Sequence, residues 1–517
     1  MNRIITIVGG GAVGVSVLYQ LIKKKASELN TSGFEINLFE KDLIIGPGLA
    51  YSMDDATNLL NRPANTMSAV HGDQKSFINW LNSMGKAACP GISSDIYQNQ
   101  FLPRKTFGMY LKMLFDKALM LAKVKNIKVN VIHSEVINVK KKQNLYSVEA
   151  LNGQVYLTQA LILATGHTNS NIYEDLRRSE HYLDSPYPTS RVATLVPSAA
   201  SVAILGSRLS AIDAAIALNS HGHKGKIAFV SRYGYLPSIR VPGILDYKLK
   251  IFTTNTLNAY QSISLKQIIN LIVDEVSIAI GRKVRINEWF YRTNDFYQFF
   301  KDELSCVNFP DKIIWQSVMI SINKVIELAW YKLNDRDKEI FIKRYKSRWM
   351  AYRVGIPAQN ALIINSLIEN NKLVCIKGLK KVSYDDAIKK FSIHIGNKSK
   401  KVNFDYVINA TGSCSDIKNN RSLLLKNMRK NGLIKPHNFG GIEVDFQTSR
   451  VKDENDFIQK NLYAIGQLTE GAYFFTSVLE LNIAHADIIT DSIINNFNCK
   501  LTNNENLNFN YNERVSC

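Results

Sequence analysis

A glycine-rich turn set between a short apolar strand and a helix constrains this chain more than any other feature. Arg3–Val8 (Arg-Ile-Ile-Thr-Ile-Val) is a β-branched run that feeds Gly9-Gly10-Gly11-Ala12-Val13-Gly14, the spacing G-x-G-x-x-G. A helical pattern follows to about Leu29, then a turn at Thr31-Ser32-Gly33, then Ile36-Asn37-Leu38-Phe39 ending in Glu40. Each piece has a task in binding a dinucleotide. Gly9 permits the tight turn, Gly11 lets backbone approach a pyrophosphate, and Gly14 lets the helix pack closely on the strand. The helix N-terminus presents unpaired N–H groups and the positive end of its dipole. Glu40 is placed to accept hydrogen bonds from ribose hydroxyls, with Lys41 beside it.

The chain's 517 residues suffice for two or three domains. The apolar start of the chain reads as strand plus helix rather than a leader, because the glycine turn and Lys23-Lys24-Lys25 interrupt it. No uninterrupted apolar stretch is long enough to span a bilayer, so a soluble, cytoplasmic protein without a membrane partner is expected. The formal charge of +20 raises the question of nucleic acid. The basic runs lie at element ends and turns without interleaved aromatics, so no nucleic-acid partner is expected. An attraction for anionic cofactors is the by-product. The six cysteines form no C-x-x-C pair and no metal-ligand spacing. They point to no metal site and no redox dithiol, which argues against thiol–disulfide exchange.

A second strand–turn–helix begins at Ser201-Val202-Ala203-Ile204-Leu205 and continues through Gly206-Ser207-Arg208-Leu209-Ser210-Ala211. It keeps the first glycine, while Arg208 and Ala211 replace the second and third. Ala211 still permits close packing. Arg208 either crowds the approach of a pyrophosphate or pairs with phosphate through its guanidinium. The next strand, from Ile227, ends in Ser231-Arg232, and an arginine there suits a 2′-phosphate, hence NADP over NAD. Two further buried runs, Ala160–Leu163 and Tyr406–Asn409, each lead into Ala-Thr-Gly, at Ala164-Thr165-Gly166 and Ala410-Thr411-Gly412. Near the C-terminus, Asn461-Leu462-Tyr463-Ala464-Ile465-Gly466-Gln467 precedes a helical pattern from about Ser477 to Ile494.

In this order, the signals resemble the flavoproteins with two dinucleotide-binding domains, and more narrowly the FAD-NAD(P)-binding family. The motifs that carry the resemblance are Gly46-Pro47-Gly48-Leu49-Ala50-Tyr51, Leu59-Leu60-Asn61-Arg62-Pro63-Ala64-Asn65-Thr66-Met67 and Phe101-Leu102-Pro103-Arg104-Lys105-Thr106-Phe107-Gly108-Met109-Tyr110-Leu111. They continue with Ala164-Thr165-Gly166-His167, Gly222-His223-Lys224-Gly225 and Ser231-Arg232-Tyr233-Gly234-Tyr235-Leu236-Pro237. The resemblance implies an α/β fold of two Rossmann-like domains, an FAD domain interrupted by an NAD(P)H domain, with a helical insertion. Its characterised relatives include flavin-dependent N-hydroxylating monooxygenases, among them enzymes that oxidise the amino group of aspartate to nitrosuccinate.

Carried over residue by residue, Gly9, Gly11, Gly14, Glu40 and Lys41 would hold the ADP half of FAD. Asn61 to Met67 would lie near the flavin ring and Gly466 near the far ribityl end, with Thr165, Gly166 and Gln467 as further cofactor-binding candidates. Gly206, Ser207, Ser210 and Arg232 would meet NADPH, with NADH as the alternative donor. The departures are Arg208 in the second glycine turn and Gln467 where many flavoproteins place Asp.

The expected division is an FAD-binding domain over 1–195, an NAD(P)H-binding domain over 196–403, a return to the FAD domain over 404–499, and a structureless Asn-rich tail over 500–517. Aromatic- and Lys-rich helical periodicity marks the insertion over about 244–349, expected to cover the active-site mouth. Its aromatics, Trp289, Phe290, Tyr291, Phe296, Tyr297, Phe299 and Phe300, are expected to pack rather than form a substrate box.

His167 either faces the flavin or nicotinamide or is a turn histidine bonded to backbone, and Asn61 is the other candidate for a catalytic role. Arg104, Arg240 and Arg353 lie near prolines, in loop-like contexts suited to a clamp on a substrate carboxylate, against the alternative of surface or interdomain ion pairs. The function expected is an FAD-dependent, NAD(P)H-consuming monooxygenase that hydroxylates the nitrogen of an amine or amino acid with O₂, through a C4a-hydroperoxyflavin. The alternatives are a flavin dehydrogenase or reductase without oxygen insertion, and a flavin-binding sensor. The substrate and the oligomeric state stay open.

Overall fold

The computed structural model describes residues 3–26, 33–87, 100–167, 172–241, 243–286, 288, 295–396 and 400–498. Its organising feature is a duplicated sheet. The first has six strands in the order Arg450–Lys452, Ile458–Ala464, Ala160–Leu163, Arg3–Val8, Phe34–Phe39, Lys128–Ile132. All neighbours are parallel except the outermost pair, Arg450–Lys452 against Ile458–Ala464. The second has five parallel strands in the order Leu373–Lys377, Ile227–Ser231, Val202–Leu205, Tyr406–Asn409, Tyr182–Leu183. Both sheets run third, second, first, elbow strand, outer strand. Parallel strands buried on both faces explain why these runs are continuously apolar rather than alternating.

The repetition extends beyond the two glycine units. In each half an antiparallel three-stranded meander leads into the strand that ends in Ala-Thr-Gly. The meanders are Val136–Lys142, Leu145–Ala150 and Val155–Thr158 in the first half, and Leu379–Asp385, Lys390–Ile395 and Lys400–Phe404 in the second.

Strand pairing corrects two expected boundaries. Tyr182–Leu183 falls within 1–195 yet joins the second sheet, against Val407 and Ile408. Tyr406–Asn409, expected to begin the return, pairs with Val202–Leu205 and completes the second sheet. The chain re-enters the first sheet at Arg450–Lys452, the outer partner of Ile458–Ala464, which in turn pairs with Ala160–Leu163. A local reading of apolar runs cannot tell which of two similar sheets receives a strand, because that is decided by pairing across hundreds of residues.

On one face of the first sheet lie helices Ala12–Ala26, Arg104–Val124 and Leu479–Asn498, whose apolar sides share a core with Ile5, Ile7 and Ile36. The basic end Lys23-Lys24-Lys25 complements the negative end of the first helix's dipole. The helices between the sheets are Thr254–Asn258, Leu265–Ile280, Phe296–Ser305, Pro310–Ser321, Asn323–Lys332, Asp335–Ile340, a π turn at Phe341–Tyr345, and Lys346–Arg353. Leu265–Ile280 begins at a capping box between Ser264 and Gln267 and stops at Gly281 in the left-handed region, so its limits are written in local chemistry.

This helical layer packs against the first sheet's other face. Trp315, Val318, Trp330 and Leu333 share a core with Val8, Phe39, Leu163 and the returning segment Ile442–Phe475. Phe300, Phe299 and the ring pairs of Tyr352 are packing, as expected of the insertion's aromatics. Trp289, Phe290 and Tyr291, the side chain of Phe296 and the tail after Asn498 lie outside the described residues. Among the described residues, no helix is long and apolar enough to cross a membrane.

Candidate functional site

The first glycine turn is shaped by two close approaches. Gly9 has φ +106°, and a Cβ there would stand 2.2 Å from the Ala164 carbonyl oxygen. A Cβ on Gly14 would stand 1.8 Å from the Gly9 carbonyl oxygen, so helix and turn touch through bare backbone. At Gly11 a Cβ would only reach van der Waals contact with Gly48, at 3.6 Å. The Glu40 carboxylate accepts from the Gly10 N–H at 2.7 Å and the Asp42 N–H at 3.2 Å, which fixes it beside the turn. Lys41 is exposed at the rim.

The second turn repeats the geometry. The Gly9 N–H donates to the Phe39 carbonyl at 2.9 Å, and the Gly206 N–H to that of Val230 at 2.8 Å. Ala164 and Ala410 likewise donate to the ends of Val8 and Leu205. A Cβ on Gly206, at φ +126°, would meet the Ala410 carbonyl oxygen at 2.6 Å. Each Ala-Thr-Gly therefore crosses directly over its glycine turn, and the elbow glycines Gly166 and Gly412 then face open space. The elbows differ in one group. Thr411 donates its hydroxyl to Asn409 at 2.7 Å, whereas the buried Thr165 hydroxyl has no partner among the described residues. An orphaned hydroxyl beside an open glycine is what a bound dinucleotide would satisfy.

Arg208 and Arg232 are both exposed at the second turn, and each lies within the other's field: desolvation and then the charge of Arg232 lower the pKa of Arg208. Two cations at a glycine turn suit phosphate. The Ser207 and Ser210 side chains are already engaged. Ser207 donates to the Tyr235 carbonyl at 2.7 Å, and Ser210 meets the Tyr187 hydroxyl. Both hydroxyls are thus tied to protein partners in the ligand-free chain.

At the returning end, Gly466 (φ +78°) also faces open space and opens a 3₁₀ turn, Gly466–Thr469, rather than the long helix, which begins only at Leu479. The Gln467 amide donates to Glu470 at 2.5 Å, and Glu470 pairs with Lys346 at 2.6 Å. His167 keeps accessible surface yet is largely walled by protein. That desolvation holds its pKa below the usual histidine value against the opposing pull of Glu470. Asn61 is half-buried in the loop whose flanking backbone pairs Leu60 with Leu102. The Met67 side chain belongs to the first domain's core, not to an open wall.

The three arginines separate. Arg104 is not in a loop but opens helix Arg104–Val124. It pairs with Asp213 at 2.8 Å and donates to the Tyr187 hydroxyl and the Leu59 carbonyl, both at 3.0 Å. This corrects its expected substrate role: its charge is spent on a clamp between the first and second glycine units. Burial disfavours the Arg104 cation, but Asp213 and Tyr187 outweigh it and its pKa rises.

Arg240 and Arg353 sit together and lack such a partner. Arg240 ends the short strand Ile239–Arg240, paired with Ile356–Pro357, and Arg353 ends helix Lys346–Arg353. Each is 5% exposed. Arg240 donates to the Arg353 carbonyl at 3.2 Å, and its Nε has no partner among the described residues. Arg353 bonds to Asn323 and lies over the Phe475 ring at 5.1 Å. Burial and then the charge of Arg62 push Arg240 down to about 10, and burial, then Arg240 and Arg62, push Arg353 well below the usual arginine value against the opposing pull of Glu480. Arg62 itself pairs with Glu480 at the opening. Like cations buried without a carboxylate in direct contact are costly, so the place suits an anion. Arg62, within the quoted Asn-Arg-Pro run, was legible as a cation but not as the third member of this group.

Among the described cysteines, Cys306, Cys375 and Cys414 are free and apart, and burial pushes the Cys375 thiol up to about 12. No group of His, Cys, Asp and Glu among the described residues could hold a metal ion.

A family model described as FAD-NAD(P)-binding matches residues 6–168. An uncharacterized protein of Escherichia coli (strain K12), YdhS, is 23% identical over 404 residues, covering 69% of this chain and 73% of its own length. Among solved structures, the ornithine hydroxylase PvdA of Pseudomonas aeruginosa superposes with a TM-score of 0.59 at 12% identity, over 96% of this chain and 100% of its own. L-lysine 6-monooxygenase of Pseudomonas syringae gives 0.56 at 13%, over 96% and 100%. The ornithine N-hydroxylase KtzI of Kutzneria sp. 744, a complex with FADred, NADP+ and L-orn, gives 0.51 at 13%, over 96% and 100%. These likenesses establish a shared fold.

Proposed function

We propose, from a chain whose residues 6–168 form an FAD-NAD(P)-binding domain within the fold of the two-dinucleotide-domain flavoproteins, that it is an NAD(P)H-consuming monooxygenase that hydroxylates the nitrogen of a carboxylate-bearing amine. The observation that carries this reading is the buried pair Arg240 and Arg353, neither of them in a direct ion pair among the described residues, beside the returning segment that follows Gly466. A substrate carboxylate would neutralise two cations there in a bidentate geometry suited to guanidinium.

Gly9, Gly11, Gly14, Glu40, Lys41, Thr165 and Gly166 would hold the adenosine and pyrophosphate of FAD. Asn61, His167, Gly466 and Gln467 would face its ring and ribityl chain. Gly206, with Arg208 and Arg232, would take NADPH, and the arginine pair favours it over NADH through its 2′-phosphate. FAD supplies the reduction of O₂ and the transfer of one oxygen atom. The protein's share is to hold the substrate nitrogen still, exclude water with the helical layer, and remove a proton from the substrate ammonium. His167, whose desolvation favours the neutral ring, would be the acceptor for that proton.

Stopped-flow absorbance tests the reading. The FAD-loaded protein is reduced anaerobically with NADPH, mixed with O₂ and an amino-acid panel, and assayed for hydroxylamine product. A transient spectrum that is neither reduced nor oxidised flavin, followed by product, supports the reading. Direct reoxidation without product under every substrate would overturn it.

A further inference from the structure

The helical layer forms a half-open cavity of about 110 Å³ lined by Ile268, Ile272, Ala329, Trp330, Phe341 and Phe474 among others. All its lining residues are apolar except Tyr345 and Arg348. Packed cores leave few such voids. The volume approaches the ~150 Å³ of apolar cavities that stay dry and take up benzene.

Three observations tie this cavity to the arginine pair. Trp349 on its wall and Arg353 lie four residues apart on helix Lys346–Arg353, so they share a face one turn apart, with ~6 Å between Cβ atoms. Phe474 adopts φ +63°, rare for a bulky residue, and this turns consecutive rings to different tasks. Phe474 stacks on Trp330 at 4.8 Å in the cavity wall, while Phe475 lies under the Arg353 guanidinium at 5.1 Å. Finally, the Phe474 N–H donates to the Glu470 carbonyl at 2.6 Å, and Glu470 is bound to Gln467 beside Gly466. Cavity, cations and the returning glycine turn thus share one short stretch of chain.

We propose that the cavity receives the apolar side chain of the substrate while Arg240 and Arg353 hold its carboxylate. The substrate class is then a 2-amino acid, or close analogue, with an alkyl or aryl body. The proposal rests on the reading of the arginine pair as a carboxylate receptor. A second ammonium, as in ornithine, would lose its hydration against these walls without a partner to replace it. For an ammonium, Arg348 at the lining adds like-charge repulsion.

The test is calorimetric titration of the oxidised, FAD-loaded protein, without NADPH, by straight-chain L-2-amino acids from alanine to 2-aminooctanoate, with L-ornithine alongside. The dissociation constant should fall about fourfold per methylene until the cavity is full, with ornithine weakest. Ala329→Leu, which builds into the cavity, should raise the constants of the longest members at least tenfold and flatten the series. Ile269→Phe, at a half-buried lining position, repeats that test if Ala329→Leu does not fold. Constants independent of chain length would overturn the proposal, as would a length dependence that survives both substitutions, or no binding by any member. Because the titration consumes neither NADPH nor O₂, failure of the monooxygenase reading would leave its outcome unchanged.

Discussion

A buried arginine without a carboxylate is the residue-scale fact with the widest consequences. Arg240 and Arg353 raise the free energy of the ligand-free protein, since each loses hydration and repels the other. Arg240→Met keeps the stem and removes the charge. It should stabilise the ligand-free protein by about 1–4 kcal/mol, read as a higher denaturant midpoint, and raise KM for a carboxylate-bearing substrate at least a hundredfold. A substitution that destabilised the protein would mean the cation is structural. Arg104 behaves oppositely although its sequence context looks alike. Its cation is met by Asp213, so Arg104→Met should cost about 3–5 kcal/mol by stranding a buried carboxylate. Urea unfolding decides between these signs.

At the scale of elements, the return from the second sheet is held by contacts that acid should loosen. His437 accepts from the Phe439 N–H through Nδ1 at 3.0 Å, and a Cβ on Gly471 would collide with its ring. Burial and then Lys338 push its pKa down to about 4. A histidine held neutral in the folded state stabilises fully above its unfolded value, about 6.5. That contribution is lost as pH falls from about 6.5 through about 4, because the unfolded chain binds the proton first. Stability should therefore drop by up to about 3 kcal/mol across this window, and His437→Gln should flatten the slope of melting temperature against pH. A slope unchanged in His437→Gln would assign the loss to other groups. The capping box at Ser264 and the Ala-Thr-Gly elbows show the opposite case, elements whose limits need no distant contact.

For the molecule as a whole, the net charge of +20 and the exposed Arg208 and Arg232 form a field into which a polyanionic cofactor falls. The rate of flavin reduction at subsaturating NADPH should fall steeply with ionic strength, and NADH should show a shallower slope. Arg232→Ala should bring the two slopes together. Equal slopes in the unsubstituted protein would place the 2′-phosphate away from these arginines.

The glycine turns, the elbows and the strands that lead into them were legible in the sequence, because each depends on residues close together in the chain. Gly9 must be glycine for its φ alone, and a β-branched run before it can hardly be anything but a strand. Tertiary structure decided the rest. Whether Arg104 or Arg240 is free depends on Asp213, which reaches one and not the other. Which sheet receives Tyr406–Asn409 depends on pairing with Val202–Leu205. The cavity behind Phe474 exists only where four separate helical segments and a turn meet. Such properties are sums over distant contacts, and the physical reason they escape a linear reading is that burial, which makes a charge costly and a void significant, belongs to the packed molecule and to no single stretch of chain.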